Sequence, residues 1–266
     1  MNRLSPHQRE AYEREGTLFP LTALSLDEAA RCRAAIEELA VALTGTPRSG
    51  ALAQTHLFFK PIYDIVAHPA VLDIVEDVIG PDILVHSTTV FPKYAHDPSF
   101  VSWHQDGYYW NLDEPRLTSA WIALTDSDAE NGCLRVVPGS HATRVEHHTR
   151  RQKDNMLTTG LEVSVEVDEA QVRDVVLRAG ELSLHHVNIF HASNANPSDR
   201  ERIGFAVRYV APHVRQERDH HAVLCVRGKD VFRNFRIVEP PTADIASGVD
   251  AYTAFREEDA RRRARG

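Results

Sequence analysis

Two stretches of this chain carry side chains that could bind a metal and leave it reactive. One is Ser102-Trp103-His104-Gln105-Asp106-Gly107; the other, far downstream, is Ile189-Phe190-His191-Ala192-Ser193-Asn194. A His-x-Asp pair with one distant histidine supplies two imidazoles and one carboxylate, the facial set that holds non-haem Fe(II) with coordination positions left open. Open positions imply catalysis rather than a structural metal. On an extended strand residues i and i+2 share a face, so His104 and Asp106 can reach one ion while Gln105 points away. The third ligand must come from elsewhere in the fold. His191 is a good candidate, because the segment from Gly180 to Phe190 reads as extended and partly alternating; His185 and His186 in the same region compete with it. Arg202 stands at the head of the apolar pattern Ile203-Gly204-Phe205-Ala206-Val207-Arg208-Tyr209-Val210. A fixed guanidinium fork suits the two oxygens of a dicarboxylate co-substrate. Arg208, on the same face of a straight strand, is its rival.

The elements that must position these groups follow from periodicity. Ser5-Pro6 offers a cap and a proline at the first helical position for a helix ending at Gly16, and Ser25 caps a longer one whose apolar stripe runs to Gly45. A third helix is expected from Pro69 to Ile79, closed by Gly80. From Ile83 onward the pattern changes to short β-rich runs: Ile83 to Phe91, Ser119 to Asp126, Leu134 to Val137, Val175 to Leu177, Leu182 to His185 and Ile203 to Val210. Many short strands with glycine and proline punctuation point to a jelly-roll or barrel. The chain of 266 residues is therefore expected to form a single domain: a helical N-terminal part over about 1–80, a jelly-roll core over about 82–212, and a polar, weakly patterned insertion over about 145–172 that would serve as a flap over the site. The charged stretch from Arg256 to Gly266 reads as a surface helix or frayed tail.

The order of motifs around these residues resembles the phytanoyl-CoA dioxygenase family of Fe(II)/2-oxoglutarate-dependent oxygenases. The matching text is Trp103-His104-Gln105-Asp106 with the aromatic run Tyr108-Tyr109-Trp110, then Ala120-Trp121-Ile122-Ala123-Leu124, Glu130-Asn131-Gly132-Cys133-Leu134 and Pro138-Gly139-Ser140-His141. Gly180-Glu181, His191-Ala192-Ser193, Asn196-Pro197-Ser198 and Arg202 complete the series, which spans roughly the central half of the chain. The resemblance implies a mainly β fold, a double-stranded β-helix of cupin-like form buttressed by the N-terminal helices, with metal and co-substrate in its mouth. It implies Fe(II) on His104, Asp106 and His191, leaving His185 to stand behind the ligands or to packing, and 2-oxoglutarate held at its distal carboxylate by Arg202, with Ser193 as a hydroxyl donor to the same group. Trp121 matches a position near the co-substrate, and Ser87, Thr89 and Lys93 could line its pocket. Tyr108, Tyr109, Trp110 and Arg116 are candidates for the substrate wall.

The activity implied is hydroxylation of an unactivated C–H bond of a small metabolite or natural-product intermediate, consuming O₂ and 2-oxoglutarate and releasing succinate and CO₂. Desaturation, cyclisation or epimerisation would use the same triad. Related halogenases replace the carboxylate ligand with a small residue, and Asp106 is present here. A non-catalytic jelly-roll binding module would have little need for the triad and the arginine together. A nucleic-acid demethylase, which also uses paired arginines, is disfavoured by a net charge of −8. No run of the chain approaches the length of a membrane span, and the N-terminus carries no apolar signal core, so a cytoplasmic protein acting on a small molecule is expected. Cys32, Cys133 and Cys225 are few, scattered and without metal-ligand spacing, which suits reduced thiols.

Overall fold

A computed structural model describes residues 4–157, 160–216 and 222–263. The helices are α1 (Pro6–Glu15), α2 (Leu26–Thr44), α3 (Lys60–Val66), α4 (Pro69–Ile79), the single turn α5 (Gly107–Trp110) and α6 (Ile245–Arg263). The strands of the first half are β1 (Thr17–Thr22), β2 (Leu52–Ala53), β3 (Ile83–Lys93), β4 (Val101–His104), β5 (Leu117–Ala123), β6 (Leu134–Val137) and β7 (His147–Thr149). They are followed by β8 (Leu161–Val163), β9 (Arg173–Val175), β10 (Glu181–His186), β11 (Phe190–Ser193), β12 (Arg202–Val210), β13 (Ala222–Arg227) and β14 (Arg236–Ile237).

The first two helices start where local chemistry dictates. Ser5 and Gln8 form a reciprocal capping box, as do Ser25 and Glu28, and each helix ends on a glycine in the left-handed region, Gly16 and Gly45. Helix α4 opens on Pro69 and buries Val71, Leu72, Ile74, Val75 and Ile79 along one stripe.

Eight strands form the larger sheet in the order β1-β10-β5-β12-β3-β13-β14, with β2 beside β3; β4-β11-β6-β9 form the facing sheet, and β7-β8 a separate ladder. Neighbours distant in sequence, such as β12 between β5 and β3, are what a jelly-roll winding produces. Period-2 alternation sorts the faces of β12: Phe205, Val207 and Tyr209 join the main core together with Ile36, Leu39, Val71 and Val75 of the helices, whereas Ala206 joins Trp121, Leu134 and Val136 between the two sheets. The helices therefore cover the outer face of the larger sheet, and its inner face is free to carry the polar groups of a site. No helix among the described residues is long and apolar enough to cross a membrane, and all three cysteines are free thiols.

Several elements differ from the sequence expectation. Strand β1, helix α3 and the turn α5 were not foreseen, and α6 begins at Ile245, well before the charged run. Tyr252 explains that early start: it is fully buried, it donates its hydroxyl to Ala53 O at 2.9 Å, and its ring meets Phe58 and Phe59, each at 5.4 Å. The segment 145–172 contains the β7-β8 ladder, pairing His147 with Val163 and Thr149 with Leu161.

Candidate metal centre

Strand β4 ends at His104, and Asp106 does not continue it. Its backbone is helical (φ −58°, ψ −37°), at the start of α5. The expectation that both ligands stand on one extended strand is thus corrected: the chain turns immediately after His104, and that turn, not strand alternation, aims Asp106 at the same point. Gln105 does point away as expected. Its side-chain amide donates to Thr143 O at 2.8 Å and Asn188 O at 2.6 Å, and its carbonyl accepts from Val145 N at 3.0 Å, tying the metal-side turn to the start of the 145–172 segment.

Strand β11 lies antiparallel to β4 with His191 directly opposite His104. Ligand atoms of His104, Asp106 and His191 all lie within 4.8 Å of one another, and the three residues are buried. Asp106 Oδ1 is 3.5 Å from His104 Nε2 and 3.9 Å from His191 Nε2. Each ring places Nδ1 on a backbone carbonyl two residues earlier, His104 on Ser102 O at 2.9 Å and His191 on Ile189 O at 3.1 Å. A carbonyl only accepts, so Nδ1 carries the proton and the Nε2 lone pair is left for a metal. Burial first, and then neighbouring His104, hold His191 well below the usual imidazole range, so it stays neutral and able to ligate. Burial alone would raise the Asp106 carboxyl, but the Arg208 guanidinium, with the two histidines, overrides it and keeps Asp106 ionised.

The two arginines of β12 have separate partners. Arg208 Nε donates to Asp106 Oδ2 at 3.3 Å and Nη1 to Thr89 Oγ1 at 2.9 Å, so one carboxylate oxygen is held from behind while the other faces the histidines. Arg202 is fully buried. Nε and Nη2 donate to Gly132 O, and Nη1 to Phe91 O. Of five guanidinium N–H groups these use three, leaving two for a ligand. Its carbon lies 5.4 Å from the centre of the Trp121 ring, which rests against Gly204: a Cβ there would come within 1.9 Å of the indole, so the position requires glycine. Opposite Arg202 in the register stands Lys93, also fully buried, donating to Ser193 Oγ at 2.7 Å and to Asn194 O. Burial, and then the nearby Arg202, lower its ammonium to about 6. Among the described residues neither cation has a carboxylate within salt-bridge distance, although both sit in a dry interior where a lone charge is expensive.

One recess gathers the triad with Trp121, Ser193, Arg202 and Arg208, and Leu157 of the 145–172 segment closes onto it. Lys93 lies behind Ser193. Ser87 and Thr89 do not face this recess; they line an adjoining cavity of about 520 Å³, which shares Phe91, Asp106, Leu157 and Arg208 with it. Tyr109 and Trp110 line that second cavity too. Tyr108 and Arg116 are not brought to either: the Tyr108 ring, about 100° round the helical turn from Tyr109, stacks on His147 at 4.1 Å, and Arg116, before β5, lines a separate cavity with Arg9, Tyr12 and His186. Sequence reasoning left His185 to stand behind the ligands or to packing. Its ring lies 4.8 Å from that of His191 in the same recess, Nδ1 has no hydrogen-bond partner, and burial lowers it to about 4. Its place in the same extended stretch as His191, where it competes for the third ligand position, is the signal that points there.

A jelly-roll whose mouth holds two imidazoles and one carboxylate, with a buried arginine and lysine close by, belongs to the class of Fe(II)- and 2-oxoglutarate-dependent oxygenases. The sequence model of the phytanoyl-CoA dioxygenase (PhyH) family matches residues 12–204, and the chain belongs to that family. It is 25% identical over 223 residues to an ectoine dioxygenase of Nocardia farcinica (strain IFM 10152), covering 74% of this chain and 75% of the relative. It is 27% identical over 183 residues to an L-proline trans-4-hydroxylase of Streptomyces griseoviridis, covering 62% and 68% of the two. Among solved structures the non-heme monooxygenase ThoJ, in its apo form, superposes with a TM-score of 0.80 at 34% identity, over 97% of this chain and 96% of that one.

Proposed function

We propose that this chain hydroxylates an unactivated C–H bond of a small metabolite or natural-product intermediate, with His104, Asp106 and His191 as the iron ligands and Arg202 as the seat of the 2-oxoglutarate distal carboxylate. The observation that carries the reading is the buried pair Arg202 and Lys93, which among the described residues have no carboxylate within salt-bridge distance, Arg202 lining the recess that holds the triad. A dicarboxylate reaching from the metal to Arg202 would supply that charge. Two spare N–H groups on Arg202 and the unpartnered Nδ1 of His185 fit such a ligand.

Iron, 2-oxoglutarate and O₂, when bound, supply the oxidising power. The chain supplies placement. Ser102 O and Ile189 O orient the two imidazoles, and Arg208 holds Asp106 Oδ2 so that Oδ1 is presented to the metal. Trp121 braces Arg202 from one side. The apolar lining of the recess and adjoining cavity, including Phe91, Leu157 and Tyr109, keeps water from the reacting carbon. The test is anaerobic addition of Fe(II) and then 2-oxoglutarate to metal-free protein. A weak visible charge-transfer band that needs both additions, disappears in His191→Ala and demands much more 2-oxoglutarate in Arg202→Met is the expected result. A folded protein without the band refutes the assignment.

A further inference from the structure

The cavity beside the metal centre sets five aromatic rings among polar side chains that include Gln54, His86, Ser87, Thr88 and Thr89. Phe91, Tyr109, Trp110, Tyr252 and Phe255 line it, with Met156 and Leu157 closing one side. Its volume of about 520 Å³ lies in the range of pockets that take drug-sized ligands, and a free amino acid would leave most of it unfilled. At its inner end the ionic groups are committed to each other, since Arg208 donates to Asp106. The other charged side chains of the lining, Arg256 and Asp259, both stand on α6.

The outer wall is α6. Tyr252, Phe255, Arg256, Asp259 and Ala260 all line the cavity, and α6 is well seated: Tyr252 is bonded to Ala53 O, and Phe255 packs on Phe58 at 5.1 Å. Gly248 lies so close to the chain below that a Cβ would come within 2.9 Å of Phe59. This helix falls outside the stretch that matches the PhyH family, which ends at residue 204. The metal centre thus lies within the matched stretch, and the helix that faces the space beside it lies beyond it.

We infer that the substrate is a molecule of natural-product size with an apolar, ring-bearing body, selected by the C-terminal helix α6, and not a free amino acid. The inference rests on the oxygenase reading of the metal centre and deepens it. Rings of the substrate stack among the five aromatic side chains, and the carbon to be oxidised lies at the end where Asp106 and Arg208 join the cavity to the recess.

The test uses the anaerobic Fe(II)·2-oxoglutarate complex of the full chain and reads its visible band, which responds to a ligand beside the metal without any turnover. Flavone, a ring-bearing probe that does not chelate iron, is titrated in parallel with L-proline and ectoine. Flavone is expected to shift the band saturably and the two amino acids to leave it unchanged. Ala260→Trp adds bulk from an exposed position of α6, so the band itself is expected to persist while flavone binding weakens by about tenfold or more. A saturable response to L-proline or ectoine but not to flavone would overturn the inference, as would flavone binding indifferent to Ala260→Trp; either leaves the oxygenase reading intact. Absence of the band in the unsubstituted protein removes the reading and the inference together.

Discussion

Replacing Lys93 by methionine separates a ligand-binding cation from a structural one, because the two roles predict opposite signs. Lys93 is buried to 0% exposure, and its ammonium is lowered to about 6 from the ordinary 10.5. Since the folded value lies below the unfolded one, the unfolded chain binds the extra proton between those limits, and this site makes stability rise as pH climbs from about 6 to 10.5. At pH 7.5 the metal-free protein therefore bears a cost of about 4 kcal/mol for holding the amine uncharged, at about 1.4 kcal/mol per pH unit. Lys93→Met removes that cost but strips a donor from Ser193 Oγ and Asn194 O, a loss of about 1–3 kcal/mol. The net expectation is a metal-free variant more stable than the parent by about 2 kcal/mol at pH 7.5, about 4–8 °C in Tm. That advantage should be largest near pH 6 and fade toward pH 10. A dicarboxylate recharges the amine on binding, so the parent should take up about one proton with 2-oxoglutarate at pH 7.5, and the variant should bind it about 10–100-fold more weakly without that uptake. Urea unfolding at three pH values gives the stability arm. Calorimetric titration in two buffers of different ionisation enthalpy gives the proton count. A variant that is destabilised near pH 6, or that binds 2-oxoglutarate as the parent does, would refute the reasoning.

Other perturbations test other parts of the site. Arg208→Met leaves Asp106 buried without its cation and should cost the metal-free protein about 3–5 kcal/mol, with Arg208→Gln recovering part; bound Ni(II) should narrow the gap, and urea midpoints with and without the ion measure it. Gly204→Ala drives a Cβ into Trp121 and should cost about 1–3 kcal/mol while weakening 2-oxoglutarate binding through the displaced Arg202. Equal stability and equal affinity in that variant would show that the indole is not braced there. Because burial keeps His191 neutral well below the usual imidazole range, acidification should release the metal only at pH values clearly under 6.5; equilibrium dialysis of Ni(II)-loaded protein across pH 7 to 4 would reveal loss already at 6.5 if the ring were ordinary.

What the sequence made legible was what short-range chemistry decides. Ser5 with Gln8 and Ser25 with Glu28 mark helix starts within four residues, and the structure places α1 and α2 as expected. Helix α5 escaped notice because Gly-Tyr-Tyr-Trp carries no helical signal; its start is the metal ligand Asp106, with no side-chain cap. Helix α6 escaped because what anchors it, Tyr252 on Ala53 and Phe255 on Phe58, is long-range packing on a helix with little apolar stripe of its own.

The same division runs through the site. Strand alternation puts Arg202 and Arg208 on one face of β12, and Lys93, Thr89 and Ser87 on one face of β3, and the sequence carries nothing further to tell them apart. Register does that. Pairing sets Lys93 against Arg202 at one end of the ladder and Ser87 against Arg208 at the other, with Thr89 opposite Ala206 between them. At the Arg202 end a buried guanidinium and a buried amine meet with no carboxylate within salt-bridge distance among the described residues, which suits a dicarboxylate ligand. At the Arg208 end the guanidinium is already bound to Asp106, which leaves that end to position the metal ligand and border the ring-lined cavity. Ser87 and Thr89, expected to line the co-substrate pocket, therefore line the adjoining cavity and not the recess that holds Arg202. Face is encoded by neighbours two residues apart, whereas depth along the barrel is encoded only by which strand lies opposite, information distributed over residues more than a hundred positions apart.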